Sequence, residues 1–453
     1  MKKHKAYESF LEREHQEKEE FGLTRRDFMK AAVATGLLTA TTVLMEPVPY
    51  QRGTYAAEKK LPAEYWQIAS RYGEPKGQFG KPGDPIKITI GYQPYCLQCQ
   101  TANITKQAKL WMKYFPKGSK VEWFRSLSGP LINNNMLAGK NMFGYMCDTP
   151  GLRCMETVEA ITGCTGGYDT GEHGAMVVRK DLWDSGKVKS VKDLDGQKIG
   201  TPLGSFSHRQ SLDIIDEFKI RPRLLDQSTE LQVTHMRAKN IAACVTWEPY
   251  PSYLEYLGIG YRIVTGLEMK CTCSKYYPVK VPHNWITMNT TLMVQPWLRD
   301  RPDVMVGFLQ AEEEARDMWN NDINLAAYYI WSDIPEFPQS VVRMTLEMNI
   351  PDGRASKNSL EHLKGIAIQW RTVKILSTQH SVDPPKLIDN FVDDRFYELA
   401  CKEIREQGFW TSHKLPGFPV KLRENQKHRQ NIKDYKDVRL KPAPWKQTKV
   451  KWA

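Results

Sequence analysis

The sequence predicts an α/β protein of two lobes, with parallel-rich sheets wrapped by helices and extra helices toward its C-terminal end. Three observations predict it. Strand-like and helix-like stretches alternate from residue 86 to about Met155, which is the pattern of β-α-β units. The alternation restarts at Val191, as a second lobe would require. From Gln295 to about Gln407 helical periodicity takes over, with no solenoid-like repeat. An apolar content of 41% with 11% aromatics suits a folded chain, and the length beyond residue 57 exceeds what one small core needs.

The chain opens with a segment that does not belong to this fold. TRRDFMK at 24–30 precedes the apolar run Ala31–Met45, closed by Glu46. Those fifteen residues, rich in Ala and Thr, fall short of the roughly twenty apolar residues of a spanning helix. Paired Arg25 and Arg26, with Phe28 and Lys30, match a twin-arginine export signal, and Tyr55-Ala56-Ala57 offers a late processing site. The plain alternative is an amphipathic N-terminal helix that happens to carry two arginines. Residues 1–57 are therefore set apart as a signal segment, which makes the twin-arginine translocase an expected partner and the periplasm the expected location. The polar, Gly- and Pro-containing stretch 58–84 reads as a linker or an arm.

PIKITIGYQP then alternates Ile86, Ile88 and Ile90 against Lys87 and Thr89, a strand ending in a loop. TANITKQAKLWMKYF has helical spacing, KVEWFRSL is a second strand, and SGPLINNNMLAG opens a helix at a Gly-Pro turn and stops at Gly139. NMFGYM is a third strand, and CDTPGLRCM leads into another helix. In the second lobe QKIGTPL is a strand and GSFSH leads into the helix RQSLDIIDEF. Such a start leaves backbone N–H groups able to bind an anion. NIAACVTWEPY is a buried strand, GYRIVTG an edge-like one, and WITMNTTLMV a return to a sheet.

With these pieces in order the chain resembles the solute-binding proteins of nitrate-, sulfonate- and taurine-type ABC transporters. IGYQP at 90–94, LSGPLINNNMLAGKNMFGYMCDTP at 127–150, VKDLDGQKIGTPLGSFSH at 191–208 and IAACVTWEPYPSYLE at 241–255 carry the resemblance by their order and spacing. It implies a type II periplasmic-binding-protein fold that closes around a small polar or anionic solute by hinge motion, with a permease and an ATPase as partners. Lobe one is expected at 85–178 and 280–330, lobe two at 179–270, and helices 331–410 on lobe one. By position in the family pattern the candidate contacts are Gln93, Tyr95, Ser128, Gly129, Asp148, Thr149, Gly204, Ser205, Ser207, His208, Trp247 and Glu248. Gln93 and Ser128 can hydrogen-bond a polar solute, while Ser205, the following amides and His208 can cradle an oxyanion. Bland alternatives exist: Trp247 as a core aromatic, Glu248 in a local pair, His208 and Asp148 as capping residues.

Of the nine cysteines, Cys96, Cys99 and Cys147 set the chain apart, because members of that family do not generally carry this set. Cys96 and Cys99 follow the first strand at C-x-x-C spacing and Cys147 follows the third. With His173 or His208 they could hold a soft or borderline metal ion; alternatively they form a structural or redox-active disulfide, or remain thiols. Beyond such an ion no cofactor is expected. No G-x-S-x-G, H-E-x-x-H or P-loop is present, so a binding protein rather than an enzyme is expected. The thiamine-pyrimidine synthases also resemble these proteins, and His208 with Cys271 and Cys273 could be read in their manner, but their dense cysteine motif is missing. The formal charge of +12 is concentrated in the basic tail 411–453, where eleven Lys and Arg face three acids from Val420 onward. The tail could touch an anionic surface or stay solvated; no nucleic-acid module accompanies it, and no nucleic-acid partner is expected.

Overall fold

The computed structural model describes residues 61–164, 168–169, 173–265, 268–270, 276–278, 289–347, 349–350, 363–364, 367 and 384–406. The expected signal segment, the basic tail, Cys271 and Cys273 lie outside them.

Strand β1 (Lys87–Tyr92) forms where the sequence alternates, with Ile88 and Ile90 buried and Lys87 exposed. It pairs in parallel with β2 (Lys120–Arg125) on one side and β3 (Phe143–Cys147) on the other. β4 (Ile161–Cys164) completes the first sheet only through a strand from far along the chain, in the order β2-β1-β3-β13-β4. That strand, β13 (Asn289–Met293), runs antiparallel to both β3 and β4. It is the predicted return. The helices of this half are α1 (Ala63–Ala69), α2 (Gln100–Gln107), α3 (Trp111–Tyr114), α4 (Gly129–Leu137) and α5 (Asp148–Val158). Gly91 is required on β1, since a Cβ there would come within 2.4 Å of Asn141 and 2.7 Å of Ile132 on the covering helix side.

After the short β5 (Tyr168–Asp169), the chain enters the second sheet at β6 (Gly174–Arg179). The boundary expected at 178/179 therefore falls inside a strand. GAMVVR is an apolar run with no turn signal beside it, and periodicity alone does not separate such a run from its neighbours. α6 (Lys180–Asp184), β7 (Lys198–Thr201), α7 (Phe206–Phe218), β8 (Arg223–Asp226), α8 (Thr229–Arg237), β9 (Ala243–Trp247), α9 (Tyr250–Tyr256) and β10 (Gly260–Thr265) follow, then β11 (Glu268–Lys270) and β12 (Tyr276–Pro278). The order is β12-β11-β10-β6-β9-β7-β8, parallel among β8, β7 and β9 and antiparallel at β6. β10 is thus internal, because β11 folds back against it.

The remaining helices are α10 (Gln295–Asp300), α11 (Pro302–Asn321), α12 (Ile323–Asp333), α13 (Gln339–Leu346), α14 (Pro384–Phe391) and α15 (Arg395–Glu406), with β14 (Asn349–Ile350) pairing β5. α11 and α15 pack together over the first sheet. α13 instead reaches α9 of the second half.

The stretch 58–84 is a docked arm over its described part, not a spacer. Tyr65 and Ile68, three apart on α1, enter the first core. The Tyr65 hydroxyl donates to Glu403, and Asp300 accepts from the amides of Lys76 and Gln78 at 2.9 and 2.8 Å. Among the described residues no helix is long and apolar enough to cross a membrane.

Candidate functional site

The strand pairing decides which residues can meet. β1 and β3 are parallel neighbours, so the loops after Tyr92 and at Cys147 leave the first sheet at one edge. In the second sheet the end of β7, the end of β9 and the start of β6 also share one edge, with Gly174 opposite Trp247. The two edges face each other. Phe206 and Trp247 of the second half share a core cluster with Tyr92, Cys96, Cys99 and Cys147 of the first. A Cβ on Gly204 would come within 3.4 Å of Pro130, across the two halves.

On the first edge, Gln93 is buried, and its amide nitrogen lies 4.0 Å from the Cys99 sulfur. Gly129 at the start of α4 touches Pro150 so closely that a Cβ would stand 2.4 Å from it, and Gln93 lies alongside. Ser128 precedes this helix in extended conformation, half-buried, and its carbonyl accepts from the Ser126 hydroxyl at 2.8 Å. Asp148 is fully buried and accepts from the Thr149 amide and hydroxyl at 2.6 and 3.0 Å. Tyr95 turns outward: its hydroxyl meets Glu336 and Arg125, and its ring lies against Tyr250 and Phe337.

On the second edge the GSFSH loop caps its own helix. The Ser205 hydroxyl donates to the Pro202 carbonyl at 2.5 Å and accepts the His208 amide at 3.3 Å. His208 Nδ1 accepts from the Gly204 amide at 3.2 Å, which places the neutral ring's proton on Nε2. Burial pushes this histidine down to about 4, so the ring is uncharged near neutrality. The Ser207 hydroxyl, fully buried, has no partner among the described residues. The Trp247 indole N–H donates across the junction to the Tyr95 carbonyl at 3.0 Å. Glu248 faces away from the junction in a buried pair with Arg262 at 2.7 Å and accepts the Ser252 amide.

Gln93, Gly129, Asp148, Thr149, Gly204, Ser205, Ser207, His208 and Trp247 thus gather where the halves meet, whereas Tyr95 and Glu248 direct their polar ends elsewhere. One charged group escaped the sequence reading. Arg209, 1% exposed, points from α7 to within 3.7 Å of Asp148 and stacks over Phe206. It stands directly after His208, but residues 206–211 are buried without interruption, so no amphipathic pattern marks it as inward-facing.

Cys96, Cys99 and Cys147 have their sulfurs all within 4.8 Å of one another. The Cys96 and Cys147 sulfurs are 3.0 Å apart, and Cys96, Cys99 and Cys147 are free of disulfides. A short 3-10 turn (Leu97–Cys99), closed by the Cys99 amide on the Cys96 carbonyl at 2.9 Å, brings the C-x-x-C pair to one side. Contact with Cys96, then burial, pushes the Cys147 thiol up to about 12 against the opposing pull of Cys99 and His173. Burial likewise raises Cys99. His173 is fully buried immediately before β6, and its carbonyl accepts the Glu248 amide. Its ring is close enough to influence Cys147, yet neither ring nitrogen makes a well-aligned hydrogen bond among the described residues.

No protein-family model matches the chain, and no curated protein matches it. Solved structures do. An alkanesulfonate-binding protein, SsuA from Xanthomonas axonopodis pv. citri bound to MOPS, aligns at 16% identity over 69% of this chain and 99% of its own, with a TM-score of 0.55. The periplasmic nitrate-binding protein NrtA from Synechocystis PCC 6803 aligns at 12% identity over 79% and 100%, also at 0.55. A mutant of DSZB in complex with biphenyl-2-sulfinic acid aligns at 13% over 70% and 99%, at 0.51. At these identities the likeness is one of fold. The chain has the two-lobe α/β architecture of periplasmic binding proteins.

Proposed function

We propose that this chain is the solute-capturing component of an ABC importer. It works in the periplasm after twin-arginine export and hands a small polar or anionic solute of the nitrate, sulfonate or taurine kind to a permease driven by a separate ATPase. The observation that carries this reading is the buried polar patch where the lobes meet, with Arg209 and Asp148 at its centre and the unpartnered Ser207 hydroxyl beside them. Buried charges are costly unless compensated, and this pair, 3.7 Å apart, places a guanidinium in the junction where an incoming anion would meet it. The Phe206 and Ser207 amides occupy the first turn of α7, where helix geometry leaves N–H groups without an intrahelical acceptor. Arg209 supplies a permanent positive charge, the Ser207 hydroxyl adds a donor, and hinge closure would exclude water around the anion. Support also comes from the fold shared with sulfonate- and nitrate-binding proteins.

Calorimetric titration of the folded chain with nitrate, taurine and short alkanesulfonates tests this. One anion bound per chain is expected. Arg209→Met should weaken it at least tenfold, about 1.4 kcal/mol, and Ser207→Ala should weaken it less while leaving the helix cap intact. Failure of every anion to bind the native chain, or turnover of ATP by the chain alone, would overturn the reading.

A further inference from the structure

The anion reading leaves the thiols without a task. Cys96 and Cys99 lie on the turn after β1 and Cys147 ends the neighbouring parallel strand β3, their sulfurs gathered in the junction, and His173, immediately before the other lobe's sheet, acts on Cys147 from the opposite side. We propose that these four side chains form a tetrahedral site for a thiophilic divalent cation of the zinc kind, with three ligands from one lobe and the fourth from the other.

Geometry supports the set. Three cysteines and a histidine are a recognised complement for zinc, and a tetrahedral ion with bonds of about 2.3 Å needs sulfurs roughly 3.8 Å apart. The three sulfurs already lie within 4.8 Å of one another, and the closest pair, at 3.0 Å, needs to spread by less than about 1 Å. The C-x-x-C pair sits on a 3-10 turn, which aims both sulfurs at one point. His173 is wholly buried with both nitrogens lacking a well-aligned hydrogen bond, a costly state for an imidazole that a bound ion would relieve. Gln93 stands where an outer-shell partner belongs, its amide 4.0 Å from the Cys99 sulfur. Binding exchanges three thiol protons for one divalent ion, leaves the oxidation state of sulfur unchanged, and carries a net charge of −1 on the ion and its four ligands. Because the histidine stands directly before the second sheet, the ion would hold the two lobes together.

The site does not depend on the importer reading. The test uses the full chain, free of histidine tags, reduced and stripped with chelator, then titrated with Zn²⁺ and with Co²⁺ as a spectroscopic stand-in. One equivalent is expected, with thiolate-to-cobalt charge transfer in the near ultraviolet and tetrahedral d–d bands in the visible. Cys147→Ser should weaken binding by more than the 10–100-fold typical of losing an outer-shell partner, and His173→Ala by about that range with altered d–d bands. Should a cysteine variant fail to fold, the cobalt spectrum of the native chain still decides. Absence of charge transfer, zinc affinity indifferent to Cys147→Ser, or a Cys96–Cys147 disulfide mapped in thiol-trapped exported protein would overturn the proposal. Anion titration of the same variants keeps the two readings separable: anion binding that survives loss of the metal leaves the importer reading standing alone.

Discussion

His208 accepts a hydrogen bond from the Gly204 amide inside the fold and is held neutral there by burial, and the consequence is a pH dependence with a defined sign. The unfolded ring takes up its proton below about 6.5, while the buried ring resists until about 4. Its contribution is whole above pH 6.5 and is lost as the pH falls toward 4, up to about 3 kcal/mol. NMR titration of the ring should give a midpoint near 4, and His208→Asn, which keeps an acceptor for Gly204, should remove that part of the stability slope. At this scale the sequence showed chemistry better than orientation. The C-x-x-C pair and Cys147 could be placed together because adjacent strands end at one edge. Glu248 could not be placed, because its partner Arg262 lies on β10 and only tertiary packing brings the two within 2.7 Å. Arg209 was missed for the same reason: a charge on a helix reads as solvent-facing until the opposite wall is known.

Among the elements, one carboxylate pins the middle of the arm before β1. Asp300 at the end of α10 accepts from Arg299 and from the amides of Lys76 and Gln78, and these hydrogen bonds, Arg299 first, hold its carboxyl down to about 2. The unfolded carboxyl titrates near 3.8, so the stabilisation is complete above that pH and is lost as the pH falls through about 2. Asp300→Asn should loosen the arm by about 1.5–3 kcal/mol and speed proteolytic cleavage between residues 70 and 80, with the catch that fully acidic buffer should abolish the difference from native. The strands with clean alternation, such as β1, and the helix-opening Gly-Pro of α4 were legible because each carries its own local signal. β6 was misplaced and β10 read as an edge because strand neighbours are set by the return of distant chain, which no window of sequence contains.

For the molecule as a whole, the two halves were legible as a restarted alternation, and their manner of contact was not. The Trp247 indole bond to Tyr95 spans the junction, so Trp247→Phe should weaken the contact between the halves by about 0.5–1.5 kcal/mol. A larger radius of gyration by small-angle scattering, with helix and strand content unchanged, would register it; an identical radius would count against this contact holding the halves together. The docked arm has a further consequence for how the protein is made. α1 rests on α11 and α15, with Tyr65 on Glu403 and Glu64 beside Lys402. The first described helix to leave the ribosome therefore completes its seat only when the last described one has been synthesised. A chain that folded as it emerged would have to leave that helix waiting, so the arm docks late and its docking marks the joining of the two ends of the described fold.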